Sequence, residues 1–205
     1  CQEINDDFEY KLWTDDNINE VFMYNKEYYD SWYQVKKAGA ADILRIDILY
    51  QFGGIYVDVD TVCLKKFDQA LLAEQFFAGY ESLNNSLSNS PNSQLIANGV
   101  LGSIKSHPLL DLMRQNIKSK DLSETKSAWK TVGPALLTRS YHLFLKFTWN
   151  RDWSVKVRPF SDFYPYHHSE GKTIPQTTDE LNSTLSKHNQ MNSFTFALWG
   201  GTLLN

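Results

Sequence analysis

The strongest patterning in the chain lies between residues 40 and 60. Ile43, Ile46, Leu49 and Tyr50 recur at helical spacing, and Gly53-Gly54 stops the pattern. The next residues, Ile55-Tyr56-Val57, are continuously apolar and predict a strand over Ile55 to Asp58. Upstream, Glu9 to Trp13 reads as a short strand and Asp15-Asp16-Asn17 as a helix cap. An interrupted helical stretch from about Ile18 to Lys37 follows, with Gly39 as its breaker and Asp42 capping or opening the next helix. Downstream, short strands are predicted at Thr61 to Leu64, Gln75 to Tyr80, Leu95 to Leu101, Val155 to Phe160 and Ser193 to Trp199. Asp68 should begin a brief helix. Longer helices should start at His107-Pro108, with Pro in the favoured first turn, and at Gly133-Pro134, reaching about Lys118 and Phe147. Residues 82–93 and 167–192 are Asn-, Ser-, Thr- and Pro-rich and read as a flexible loop and a long loop or lid. Alternating helices and strands imply an α/β fold with a mixed sheet flanked by helices, as a single domain over residues 1–205.

Composition narrows the function classes. A chain of 205 residues with 42% hydrophobic and 14% aromatic residues can bury a real core, which excludes disorder. The net charge of -4 supplies no broad positive field, so nucleic acid is not an expected partner. No apolar run approaches the roughly 20 residues that a membrane span needs. Cys1 and Cys63 are the only cysteines; the expectation is two buried or inert thiols, with a disulfide between them as the alternative. Asn84-Asn85-Ser86 and Asn182-Ser183-Thr184 fit the glycosylation acceptor pattern, which a chain rich in Asn and Ser also produces by chance. The first residue is not Met, and a trimmed or processed piece of something longer is expected.

Candidate chemistry concentrates at the end of the strand that follows Gly54. Asp58 and Asp60 are two apart, so along a strand they face the same side. A carboxylate pair of this kind suits Mg²⁺ or Mn²⁺, which accept hard oxygen ligands together with phosphate oxygens and water. No His/Cys cluster with zinc spacing exists. Asp42 and Arg45 are three apart on one helix and can pair there. The run Asp58-Val59-Asp60-Thr61 could also mark a haloacid-dehalogenase phosphatase, but about fifty residues precede it and no Asp-Asp or Glu-Asp pair follows.

The string Ala41-Asp42, Arg45, Gly53-Gly54, Tyr56, Asp58, Asp60 closely resembles the sugar-binding region of the Asp-x-Asp glycosyltransferases. Glu9-Tyr10-Lys11-Leu12-Trp13, Ile96-Ala97-Asn98-Gly99, His107-Pro108-Leu109, Thr131-Val132-Gly133-Pro134 and Phe163-Tyr164-Pro165 are weaker echoes of the same family. The resemblance implies a GT-A-like, Rossmann-like fold, a nucleotide-diphosphate-sugar donor and a divalent cation, Mn²⁺ or Mg²⁺. Carried onto this chain, it assigns the metal to Asp60 and, partly through water, to Asp58, which also reaches the ribose. Asp42 and Arg45 would bind the hydroxyls of the transferred sugar, Tyr56 would line the donor pocket, and Asn98 would lie near sugar or acceptor. The catalytic set is therefore expected to be Asp58, Asp60 and Arg45.

Two departures from the family pattern qualify the donor site. The family's first nucleotide-binding strand has no counterpart here and is expected to be missing or altered. Near the C-terminus, Phe196-Ala197-Leu198-Trp199 lacks the His that often precedes the Trp, so Trp199 is expected to serve as a closing element over the diphosphate or as a core aromatic. Asp47 and Glu81 are candidate general bases, and His167-His168 a candidate metal or acceptor contact. The resulting expectation is a metal-dependent, retaining glycosyltransferase. Its donor would be a UDP-sugar in preference to GDP-mannose, and its acceptor a glycan, polysaccharide or protein. A nucleotide-sugar-binding protein of the same fold without turnover is the alternative. The expected location is the cytoplasm for a bacterial or viral protein, or the Golgi lumen for a eukaryotic catalytic domain.

Overall fold

In the computed structural model, residues 1–82, 94–117, 127–147, 152–165, 177–189 and 192–198 are described. A 3-10 turn at Ile18–Glu20 precedes α1 (Lys26–Val35), α2 (Lys37–Phe52), β1 (Gly54–Val57), β2 (Thr61–Cys63), α3 (Gln69–Leu72) and β3 (Phe76–Tyr80). Then come β4 (Ile96–Ser103), α4 (Pro108–Asn116), α5 (Ala128–Thr131), α6 (Pro134–Phe144), β5 (Lys156–Arg158), α7 (Phe160–Phe163), α8 (Thr178–Asn189) and β6 (Thr195–Ala197). The main sheet has the order β1-β4-β3-β5; β4 is antiparallel to both neighbours, and β3 and β5 run parallel. A separate antiparallel pair joins β2 to β6. This is the expected mixed sheet flanked by helices.

Side chains alternate across the sheet, so Phe76 and Leu101 enter one apolar cluster while Phe77 and Val100 enter another. The first cluster lies under α1, α2, α4 and α6 and includes Ile43, Ile46, Leu49, Leu110 and Leu137. The second collects Cys63, Phe163, Phe194 and Ala197 on the opposite face. Helix α2 is buried along nearly its whole length, from Gly39 to Leu49, which places it at the centre of the molecule.

The start of α2 departs from expectation. Gly39 lies inside α2, and Asp42 sits two turns into it, neither capping nor opening it. Gly39 is there for close approach: a Cβ would lie 2.5 Å from Cε3 of Trp32 on α1. At the other end Gly53-Gly54 acts as expected. Both residues have positive φ (70° and 91°), a conformation that L side chains rarely adopt, and the Gly53 N–H donates to the Leu49 carbonyl (2.9 Å). The chain thereby turns from α2 into β1, whose register against β4 sets Val57 opposite Val100.

Other expectations fail for local reasons. Glu9 to Trp13 forms no strand; the Leu12 carbonyl is taken by the Asn17 side chain (2.8 Å) rather than by a ladder. Polar residues 178–189 form α8 rather than part of a loop. Of the loop expected at 82–93, residues 83–93 lie outside the described residues, as do Asn84-Asn85-Ser86, His167-His168 and Trp199. Cys1 and Cys63 are not free thiols: they form a disulfide, with Cα atoms 4.6 Å apart. The N-terminal segment is brought to β2 by Asn5, whose side chain accepts from the Phe67 N–H (2.9 Å) and whose backbone N–H donates to the Cys1 carbonyl (3.0 Å).

Candidate functional site

Strand β1 ends at Val57, and residues 58–60 form a turn in which the Thr61 N–H donates to the Asp58 carbonyl (3.0 Å). Asp58 is still anchored to the sheet, because its N–H donates to the Gly99 carbonyl (2.8 Å). The Asp60 carbonyl accepts from the Leu198 N–H (2.8 Å), which ties the turn to the residue after β6. Both carboxylates line one cavity of about 260 Å³. They share it because the turn folds them together, not because a strand alternates through residue 60.

Behind Asp58 stands Arg45, 5% exposed. Its Nη1 lies 3.1 Å from Asp58 Oδ1 and donates to the Asn98 carbonyl at 2.6 Å; its Nη2 lies 2.9 Å from Asp42 Oδ1. The same Asp42 oxygen accepts from Asn98 Nδ2 (2.8 Å), and the Tyr56 hydroxyl donates to Asp58 Oδ1 (2.9 Å). The Tyr56 ring lies 4.7 Å from the guanidinium carbon of Arg45, a cation–π distance. One arginine thus bridges a carboxylate on α2 and another at the end of β1, and a single rigid network joins Asp42, Arg45, Tyr56, Asp58 and Asn98. Two glycines make room for it. A Cβ on Gly99 would come 2.8 Å from Asp58 Oδ2, and one on Gly133 would come 2.9 Å from Asp42 Oδ2.

The electrostatics follow from burial. Burial pushes the Asp42 carboxyl above the usual carboxylate range, against the pull of Arg45 and Asn98. The same cause raises Asp58, opposed by Arg45 and Tyr56. Asp58 keeps 32% of its side-chain surface open to the cavity, so its charge is weakened rather than suppressed. Burial also works against the Arg45 charge, but Asp58, Tyr56 and Asp42 outweigh it and keep the guanidinium protonated. Two cationic side chains, Lys36 and Arg45, and four carboxylates, Asp42, Asp58, Asp60 and Glu81, line the cavity. The excess of two negative charges is what a divalent cation would cancel. Asp58 Oδ1 is engaged by Arg45 and Tyr56, which leaves Oδ2, together with Asp60, as the donor set facing the cavity. Among the described residues no group of three His, Cys, Asp or Glu side chains could enclose an ion. The donors fit a hard cation that completes its shell with substrate oxygens and water.

Of the other expected residues, Glu81 lines the cavity but Asp47 does not. Asp47 faces the opposite side of α2, 2.8 Å from Arg114 Nε in a charge contact without an aligned hydrogen bond. The residues of the wall that no sequence motif contained are Lys36, Ala38, Ala128 and Trp129. Tyr164, seen only as part of a family echo, is buried, and its hydroxyl accepts from the Val100 N–H (2.7 Å) beside Asp58.

Comparison with known proteins adds one family match and three relatives. Residues 1–77 match the family model described as a glycosyltransferase sugar-binding region containing the DXD motif. The chain is 26% identical over 156 residues to inositol phosphoceramide mannosyltransferase 2 of Schizosaccharomyces pombe, covering 74% of this chain and 40% of that protein. It is 27% identical over 203 residues to inositol phosphoceramide mannosyltransferase 3 of the same yeast (82% and 53%), and 33% identical over 136 residues to an uncharacterized glycosyltransferase of Acanthamoeba polyphaga mimivirus (64% and 51%). The chain spans about half the length, or less, of these relatives.

Proposed function

We propose, for a chain that belongs to the glycosyltransferase family with a DXD-containing sugar-binding region, that it moves a sugar from a nucleotide-diphosphate sugar to an acceptor hydroxyl. The observation that carries this reading is the convergence of Asp58 and Asp60 on one cavity, backed by an arginine shared between Asp42 and Asp58. Asp60 and the open oxygen of Asp58 would hold Mn²⁺ or Mg²⁺. When bound, the cation supplies neutralisation of the charge that develops on the departing diphosphate.

The protein's own residues do the remaining work. Arg45 opposes the effect of burial on the Asp58 charge and pairs with its Oδ1, and Tyr56 holds the same oxygen. Asp42 is aimed by Arg45 and Asn98, so its second oxygen is the group available to a sugar hydroxyl. A cavity of about 260 Å³ is smaller than the ~300–1,000 Å³ typical of sites that enclose a whole ligand. It suits the sugar and the adjoining phosphate, with the nucleoside extending outward. We place transfer in the retaining class and assign no covalent nucleophile. Two relatives are named for mannosyl transfer to inositol phosphoceramide, so a mannosyl donor stands beside UDP-sugars as a candidate, and a phosphorylated polyol lipid beside glycan, polysaccharide and protein acceptors.

The test is nucleoside diphosphate release from a panel of UDP- and GDP-sugars by the purified chain with Mn²⁺, and again with chelator. Metal-dependent release from one donor supports transfer. Binding of a donor without release would instead favour the sugar-binding protein without turnover.

A further inference from the structure

The cavity has two chemically different ends. One is the Asp58–Asp60 turn. The other is the start of α2, where Lys36 and Trp129 stand at the wall. Gly39 seats them together: a Cβ on it would lie 3.1 Å from the Ala128 Cβ, so α5 presses against the first turn of α2. Gly133 comes close to both Asp42 and the Trp129 backbone, which puts the tryptophan at the sugar end.

Arg45 is buried and its charge is shared between Asp42 and Asp58. Lys36 is exposed, and among the described residues it makes no ion pair within 4.0 Å. Its charge is felt at Asp42. Trp129 keeps 36% of its surface exposed although it lines a cavity. Nor does any side chain cap the end of α2 where Lys36 sits. An exposed ammonium beside a partly exposed indole can recognise a ring whose C–H face stacks on the aromatic and whose anionic substituent meets the cation.

Resting on the glycosyltransferase reading above, we propose that Lys36 and Trp129 form an acceptor subsite for a phosphate-bearing polyol or sugar ring. The donor's diphosphate belongs at the Asp58–Asp60 turn. The phosphate recognised here can be that of a soluble ester or of a lipid headgroup, since both present the same group to Lys36.

The test is titration of the metal-free protein with myo-inositol 1-phosphate and with neutral myo-inositol, followed by NMR. A parallel arm measures co-sedimentation with phosphatidylcholine vesicles with and without phosphatidylinositol. The expected result is at least about tenfold preference for the phosphorylated ring in one arm or both, lost in Lys36→Gln, with Trp129→Ala weakening binding by a similar factor. Binding in the soluble arm identifies a free ester as sufficient, and binding to vesicles alone identifies the headgroup. Equal affinity for both inositols, unchanged binding in Lys36→Gln, or no binding in either arm would overturn the proposal. So would Lys36→Gln weakening Mn²⁺-dependent binding of a nucleoside diphosphate, because Lys36 would then serve the donor. Loss of the subsite with donor binding intact leaves the transferase reading standing. Absence of donor binding with the subsite intact would count against that reading alone.

Discussion

Replacing Arg45 by Met removes the charge that two carboxylates share while preserving most of the side chain's volume. Asp42 and Asp58 are then left near one another, with Asp42 only 10% exposed at its side chain and Asp58 32%. Asp58 can take up water from the cavity, so most of the cost falls on Asp42. Removing one partner of a buried pair costs about 3–5 kcal/mol, and the partial solvation of Asp58 puts the expectation near the lower figure, ~3 kcal/mol at pH 8. The penalty must depend on pH. Burial already raises both carboxyls above their ordinary value of 3.8, and without Arg45 they rise further. A carboxyl whose folded value lies above its unfolded one favours folding when protonated, so that contribution is present at acid pH and is lost as pH rises through the folded value. The variant should therefore lose less stability, relative to the parent, at pH 5 than at pH 8. Urea unfolding of both proteins across this range, with the disulfide intact, measures the difference. A stability loss that is the same at pH 5 and pH 8, or one below about 1 kcal/mol at pH 8, would refute the claim that Arg45 compensates buried charge.

Further outcomes follow from the same geometry. Asp60→Asn should abolish Mn²⁺-dependent binding of a nucleoside diphosphate in calorimetry while leaving the fold intact, since its backbone bond to Leu198 remains. His107 is fully buried, and burial lowers its imidazole from 6.5 to about 4. The unfolded chain then binds the proton at a higher pH than the folded one, so stability is complete above 6.5 and falls as pH drops toward 4, by roughly 3 kcal/mol. His107→Asn should flatten that limb of the stability–pH curve. Reducing the Cys1–Cys63 bond opens a loop with a sequence separation of 62 and should lower unfolding free energy by about 2–4 kcal/mol, read as a shift in urea midpoint.

Much of this site is legible in the residues because its chemistry is local. Gly53-Gly54 could be read as the end of α2, since only glycine accepts the two positive φ angles there. The apolar run before Asp58 could be read as a strand, and β1 starts and stops one residue earlier than expected, at Gly54 and Val57. Legibility fails where a residue's reason lies in a distant partner. Gly39 looks like a helix breaker in sequence but is a contact surface for Trp32. Asp42 looks like a cap but is a buried partner of Arg45 and Asn98. The pairing of Cys1 with Cys63 depends on Asn5 docking beside Phe67, which no spacing announces. Lys36, Trp129 and Tyr164 reach the cavity only because α5, α7 and the start of α2 converge on it.

Asp58 and Asp60 are proposed to hold a divalent cation against a sugar nucleotide's diphosphate. Anomalous diffraction at the manganese edge, on crystals soaked with Mn²⁺ and a nucleoside diphosphate, tests this most directly. The expected result is one manganese peak at Asp60 and the diphosphate, with Asp58 beside it and still paired to Arg45. A peak elsewhere, or a bound nucleotide with both carboxylates turned away from any ion, would contradict it.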